Sequence, residues 1–243
     1  MTDDARDFLT QYTRLLDDAK MKVDEFLSSL EHSEGKMSME DIIKQSRPLI
    51  SKMSEEQEQY DKHLDLYLPC HAMIYLICRI SKPDKIIETG IEKGGFTYMI
   101  LSALEKNKQG HLWSIDIKEF WGFNGKTMAR IGPLVSLNIL KSRWTKIKGD
   151  AQRILPQVLK QTGSVEVFMA LQGHTYEVQK HEGHASWNSI KNGGVFVLDR
   201  PDWNDGKYLQ EFLDEHGDEV LYYDTFKEGR KSDPFEFTVI LKK

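Results

Sequence analysis

The chain has few cysteines, no excess of positive charge and no long apolar run. Only two cysteines occur, Cys70 and Cys78, eight residues apart in one apolar segment. That count cannot staple a fold, and the spacing suits neither a disulfide framework nor a zinc ligand set, so both read as reduced core thiols of a cytoplasmic protein. Basic residues number 33 against 38 acidic ones, for a net charge of −5. This balance argues against nucleic acid as the main partner. The longest apolar run, Ala72–Cys78, is far too short to span a bilayer, which excludes a membrane partner of that kind. The opening "MTDDARDFLTQY" is acidic and lacks the basic-then-apolar order of a secretory signal. Internal repeats and low-complexity tracts are missing too.

What remains is a globular composition, 40% hydrophobic and 29% charged over 243 residues. That is enough for one large α/β domain with an appendage. Residues 1–80 show no strand-like alternation. Phe8, Leu9, Tyr12, Leu15 and Leu16, then Val23, Phe26 and Leu27, recur at helical spacing. Ser38 and Asp41 offer a helix start, and a further helix is expected over about 55–80. This region is expected to be a helical cap, with residues 81–243 as the main domain.

From Asp84 the pattern alternates between short apolar strands and helices. Strands are expected at "KIIET", "HLWSIDI", "TKIKGD", "VEVFMAL" and "GGVFVLD". Helices are expected over Gly95–Lys106, Met128–Leu140, Ala151–Gln161, Tyr176–Lys191 and Gly206–His216. Helical crossovers imply that the five strands are parallel. "EVLYYDTF" and "FEFTVILKK" close the chain across the loop "KEGRKSDP", so one of them is antiparallel. The expected fold is an α/β, Rossmann-like, doubly wound and mostly parallel seven-stranded sheet with an antiparallel last pair.

"IIETGIEKGGFT" reads as strand, glycine turn and helix start. Gly90 permits a sharp turn, and Gly94 and Gly95 let backbone N–H groups approach a ligand at the helix N-terminus. The Gly-x-x-x-Gly-Gly spacing is not the usual dinucleotide signature. Glu88 suits a cationic ammonium better than a pyrophosphate, and Asp116 ends the second strand where it can accept from ribose hydroxyls. Together they suggest an adenosyl ligand with an amino-acid tail.

The ordered set of Glu88, Gly90, Gly94, Asp116, "KGDA" and "KNGGVFVLD" resembles the class I S-adenosylmethionine-dependent methyltransferases over about residues 84–243. The resemblance implies that Glu88, Gly90 and Gly94 hold the methionine part. It implies that Asp116 holds the ribose and that Asp150 and Ala151 flank the adenine, with Thr97 a further candidate at the helix start. "GHTYE" and "IKNGGVFVLD" are similar to a narrower branch, the sugar and natural-product O-methyltransferases related to cephalosporin hydroxylase. There the fourth strand ends in Asp-x-x-His-x-Tyr-Glu and the fifth in Asp-Asp; the acids bind a divalent ion and the histidine acts as base. Here His174, Tyr176 and Glu177 match, but Leu171 and Arg200 replace two acids. The expectation is therefore a base at His174 and no family-type metal site.

A helical face with Glu177, His181 and His184 reads as a solvated face before it reads as a metal site. Trp121, Phe123 and Trp203 lie in loops on the ligand side and are candidates to cover adenine or a flat acceptor. Tyr67, His71 and Tyr75 are candidates for a lid. The implied function is O-methylation of a small hydroxylated molecule, with S-adenosylmethionine as cofactor. The alternative is an adenosyl-binding regulatory or interaction protein that has lost catalysis. The identity of the acceptor and any homo-oligomeric state stay open at this level.

Overall fold

The structure, a computed structural model, describes residues 68–123, 126–130, 141–230 and 233–243. In chain order the elements are α1 (Leu68–Ser81), β1 (Lys85–Thr89), α2 (Gly95–Asn107), β2 (His111–Asp116), β3 (Phe120–Phe123) and β4 (Lys126–Arg130). They continue with β5 (Trp144–Lys148), α3 (Ala151–Thr162), β6 (Val165–Ala170), α4 (Tyr176–Ser186), β7 (Ile190–Asp199), α5 (Lys207–His216), β8 (Val220–Arg230) and β9 (Asp233–Lys242).

The main sheet has seven strands in the order β5-β2-β1-β6-β7-β9-β8. The first five are parallel, and β9 runs antiparallel to both β7 and β8. This is the expected mixed sheet. The chain leaves β1 toward β2 on one side and later returns to β6 on the other. The gap beyond the carboxyl ends of β1 and β6 is thus a topological switch point, where ligands of such folds bind.

Strand alternation divides the core between the two faces. Ile86, Leu112, Val167, Met169, Val195 and Val197 face the layer of α1 and α2. Ile87, Ile115, Phe168, Phe196 and Leu198 face α3, α4 and α5. In α2 every residue from Thr97 to Leu104 is buried, because the helix lies between the sheet and α1. By contrast, α3 buries only Ala151, Leu155, Val158, Leu159 and Thr162, the stripe that helical spacing dictates. Among the described residues no helix is long and apolar enough to cross a membrane.

Four expectations change. Phe120–Phe123, read as loop, pairs antiparallel with Lys126–Arg130 in a small separate sheet. Met128–Arg130, read as a helix start, therefore lies in a strand, while residues 131–140 fall outside the described residues. The helix expected to reach Lys191 ends at Ser186, and a short turn leads into β7 at Ile190. Most of the expected loop "KEGRKSDP" is strand, since β8 and β9 stay paired to Arg230–Asp233. Of the expected cap, residues 1–67 lie outside the described residues, and α1 packs on α2.

Candidate active site

The first half of the site grows from β1. Glu88 is fully buried and points to the face of Ile86, under α2. Its carboxyl accepts from the Thr97 hydroxyl at 3.0 and 2.8 Å and from the Ser114 hydroxyl at 2.6 Å. Ser114 is its register partner on β2, and the Trp144 indole donates to the same serine at 2.9 Å. Burial pushes the Glu88 carboxyl up to about 7, against the pull of Ser114 and Thr97. Glu88 thus braces the base of the glycine turn from inside.

The turn itself is held by Asp116. Its Oδ2 accepts from the backbone N–H of Ile91 at 2.8 Å and of Glu92 at 3.2 Å, and its Oδ1 from Lys118 N–H at 2.8 Å. Gly90 N–H donates to the Ile115 carbonyl at 2.8 Å. Gly90 and Gly94 both have φ of 87°, in the left-handed region. At residue 90 a Cβ would lie 2.9 Å from both the Gln172 Cβ and the Leu171 carbonyl oxygen. Only glycine fits there. Gly94 caps α2 without a side-chain hydrogen bond, so the first turn of α2 offers its N–H groups to a ligand. One strand further out, Asp150 caps α3, accepting from Gln152 N–H at 3.0 Å, and Ala151 is buried behind it. Gly149 N–H donates to the Asp116 carbonyl at 2.9 Å and ties the two strand ends together.

The second half lies beyond β6 and β7. Thr175 caps α4, its hydroxyl accepting from Val178 N–H at 3.4 Å. His174 precedes it with φ of 28°, an unusual angle for a residue with a Cβ. Its Nδ1 stands 3.8 Å from Asp199 Oδ2 at the end of β7. Buried Nδ1 of His174, Oδ1 of Asp199 and Oδ1 of Asp202 have no hydrogen-bond partner. Burial pushes His174 down to about 4, opposed by the Asp199 backbone and aided by the Arg200 charge. Burial pushes Asp199 upward, opposed by Arg200. Both groups are driven toward their uncharged forms.

Around this pair, Arg200 contacts Asp202 at 3.0 Å and its guanidinium lies 5.0 Å from the Trp203 ring centroid. Trp203 is 62% exposed and meets the His174 ring edge-on at 4.9 Å. Gln179 of α4 donates to the Asp199 carbonyl at 2.8 Å and accepts from Asn204 at 2.6 Å, fixing the 199–204 turn.

Leu171 is buried in the apolar cluster under α1 and α2. With Leu171 apolar and Arg200 cationic beside Asp199, the donor set does not fit the divalent ion of the resembled branch. Among the described residues no three His, Cys, Asp or Glu side chains gather as a metal group. His184 instead approaches Glu215 of α5 at 3.5 Å. Tyr75, a lid candidate, is fully buried in the core, His71 is stacked on Phe96 at 4.2 Å, and Tyr67 lies outside the described residues. The side chains of Trp121 and Phe123 lie outside the described set. Ser114, Trp144, Gln172, Gln179 and Asn204 were not singled out from the sequence. Only Ser114 had a signal there, its place two residues before Asp116 on the strand beside Glu88.

The structure is similar to several solved ones. One is the O-methyltransferase TomG from Streptomyces achromogenes, involved in tomaymycin synthesis and solved with SAM: 17% identity, 91% of this chain and 96% of that one, TM-score 0.57. Another is an O-methyltransferase from Bacillus cereus solved with SAH: 12% identity, 91% and 97% coverage, TM-score 0.54. A third is the SAH-bound methyltransferase PaMTH1 of Podospora anserina: 13% identity, 87% and 100% coverage, TM-score 0.51. Among curated proteins none matches the sequence. Residues 87–200 match a family model described as "Methyltransferase domain". That segment runs from Ile87 in β1 to Arg200 and so includes Glu88, Asp116, His174 and Asp199. Residues 87–200 thus resemble a methyltransferase domain, and the fold is the one seen in these solved methyltransferases.

Proposed function

We propose that the protein is an S-adenosylmethionine-dependent O-methyltransferase acting on a small hydroxylated molecule, with His174 as general base. One observation carries the reading. The glycine turn is packed directly against the Leu171–Gln172 connection that leads to His174. In-line methyl transfer needs cofactor and acceptor sites in contact, and the switch point between β1 and β6 supplies that contact.

S-adenosylmethionine supplies a methyl group on a sulfonium centre. Gly90, Gly94 and the open first turn of α2 hold its amino-acid tail, with Glu88 and Thr97 bracing that turn from below. Asp116 and Asp150, with Ala151, border the nucleoside. Burial keeps His174 in the neutral form that can accept a proton, and the lack of a hydrogen-bond partner at its Nδ1 supports this role. A weak base serves an acidic hydroxyl better than a sugar alcohol. Trp203 offers the acceptor an exposed aromatic wall. No step depends on a divalent ion. The buried free thiols of Cys70 and Cys78 accord with a cytoplasmic location.

A second reading keeps the adenosyl site but not catalysis, and the replacement of two acids by Leu171 and Arg200 favours it. Calorimetric titration with S-adenosylhomocysteine, followed by labelled methyl transfer to a panel of phenols and sugars, separates the two. Binding with turnover is expected. Binding without turnover on any hydroxyl selects the silent protein, and no binding at all overturns both.

A further inference from the structure

Beneath the glycine turn lies a buried carboxyl that the scheme above leaves unused. Glu182, in the middle of α4, is fully buried. Its Oε1 accepts from Gln172 Nε2 at 2.9 Å, while its Oε2 has no hydrogen-bond partner. The Thr89 side chain also lies beside it.

Both neighbours sit at the junction of the two halves of the site. Thr89 is the last residue of β1, directly before Gly90. Gln172 follows β6, and its Cβ occupies the space that a side chain at residue 90 would need. Leu171 N–H donates to the Thr89 carbonyl at 3.0 Å, which ties the same two segments together. Glu182 thus reaches from α4 to both sides of the switch point.

Burial and the unpartnered Oε2 favour its neutral form. Thr89 Oγ1 spends its single proton on the Met169 carbonyl, at 3.2 Å. While it does so, it meets Glu182 as an acceptor. An ionised carboxylate would then bury an unpartnered, charged oxygen, a costly arrangement. A carboxylic acid avoids this: its carbonyl oxygen accepts from Gln172, and its hydroxyl is free to turn to Thr89. Burial pushes this carboxyl up to about 8, against the pull of Thr89 and Gln172, consistent with the neutral form.

We propose that Glu182, as an uncharged carboxylic acid, is a positioning residue for methyl transfer: it holds Gln172 and Thr89 and so fixes the glycine turn against the His174 connection. This inference rests on the methyltransferase reading.

The test uses the full chain and two variants. Glu182→Gln keeps a neutral group that can both donate and accept. Glu182→Leu keeps the packing and removes the hydrogen bonds. S-adenosylhomocysteine affinity is read by calorimetry, kcat and KM by methyl transfer, and folding by thermal melting. Glu182→Gln is expected to stay within about twofold of wild type, whereas Glu182→Leu weakens the nucleoside and lowers kcat by about tenfold each, the range of one lost charge-free contact. If Glu182→Leu does not fold, Gln172→Leu reads the same contact from its half-buried partner and is expected to show the same losses.

Wild-type behaviour in Glu182→Leu, or in Gln172→Leu where that variant stands in for it, overturns the inference. Equal damage in Glu182→Gln and Glu182→Leu overturns it as well, because a charge would then be required. Failure of wild type to bind S-adenosylhomocysteine removes the methyltransferase reading and this inference with it. Wild-type binding with an unaffected Glu182→Leu removes this inference alone.

Discussion

The two halves of the site are built in opposite ways. On the β1–α2 side, Glu88 and Asp116 spend their oxygens on Thr97, Ser114 and the backbone of the turn. On the β6–β7 side, His174, Asp199 and Asp202 each keep a buried polar atom without a partner. A satisfied network is a rigid mould for a ligand that always has the same shape. Unsatisfied atoms are costly unless something else completes them, and a docking acceptor would do so. The first half is therefore expected to govern affinity for the cofactor, and the second to govern turnover.

Gly90→Ala should break this contrast most severely. The new Cβ meets the Leu171 carbonyl oxygen and Gln172 at 2.9 Å, and φ of 87° strains any side chain. Loss of S-adenosylhomocysteine binding is expected, with a stability cost of roughly 2–4 kcal/mol measured by denaturant unfolding. His174→Ala should do the reverse. Methyl transfer is expected to fall by about 10²–10⁴-fold with cofactor affinity unchanged.

A third effect concerns pH. Folding raises the Glu88 carboxyl from 4.5 to about 7 and the Glu182 carboxyl from 4.5 to about 8. The folded state then holds protons that the unfolded chain has released. Each group's contribution is complete below pH 4.5 and is lost as pH rises through 7 and 8, respectively. Melting temperature should decline across that window. Glu88→Gln should flatten the part of the decline up to about pH 7, where Glu88 titrates. An unchanged slope in that variant would show that Glu88 is not the titrating group. The smallest effect is expected at Trp203→Ala. Its exposed ring supports little of the fold, so stability should move by no more than about 0.5 kcal/mol while KM for the acceptor rises.

The contrast also explains what the sequence could reveal. The strand, turn and helix order after Asp84 was legible because it is written in local periodicity and in glycines. Glu88 stood out in the sequence as a candidate, but its burial under α2 did not. Its partner Ser114 comes from another strand, and register between parallel strands is a long-range property. The Phe120–Arg130 hairpin was missed because glycine and mixed polar residues give a weak strand signal, whereas pairing across the turn supplies the order. Glu182 carried no signal at all. It sits between histidines and glycine on a helix that reads as solvated, and only the packing of α4 on β1 and β6 buries it. Leu171 and Arg200 were legible as departures because each replaces a residue of a known spacing.

The most direct test of the division of labour is a paired measurement on His174→Ala. S-adenosylhomocysteine affinity would be taken by calorimetry and methyl transfer by label incorporation, beside wild type. The account predicts equal affinity and a turnover reduced at least about a hundredfold. Lost affinity, or turnover that survives unchanged, would contradict it.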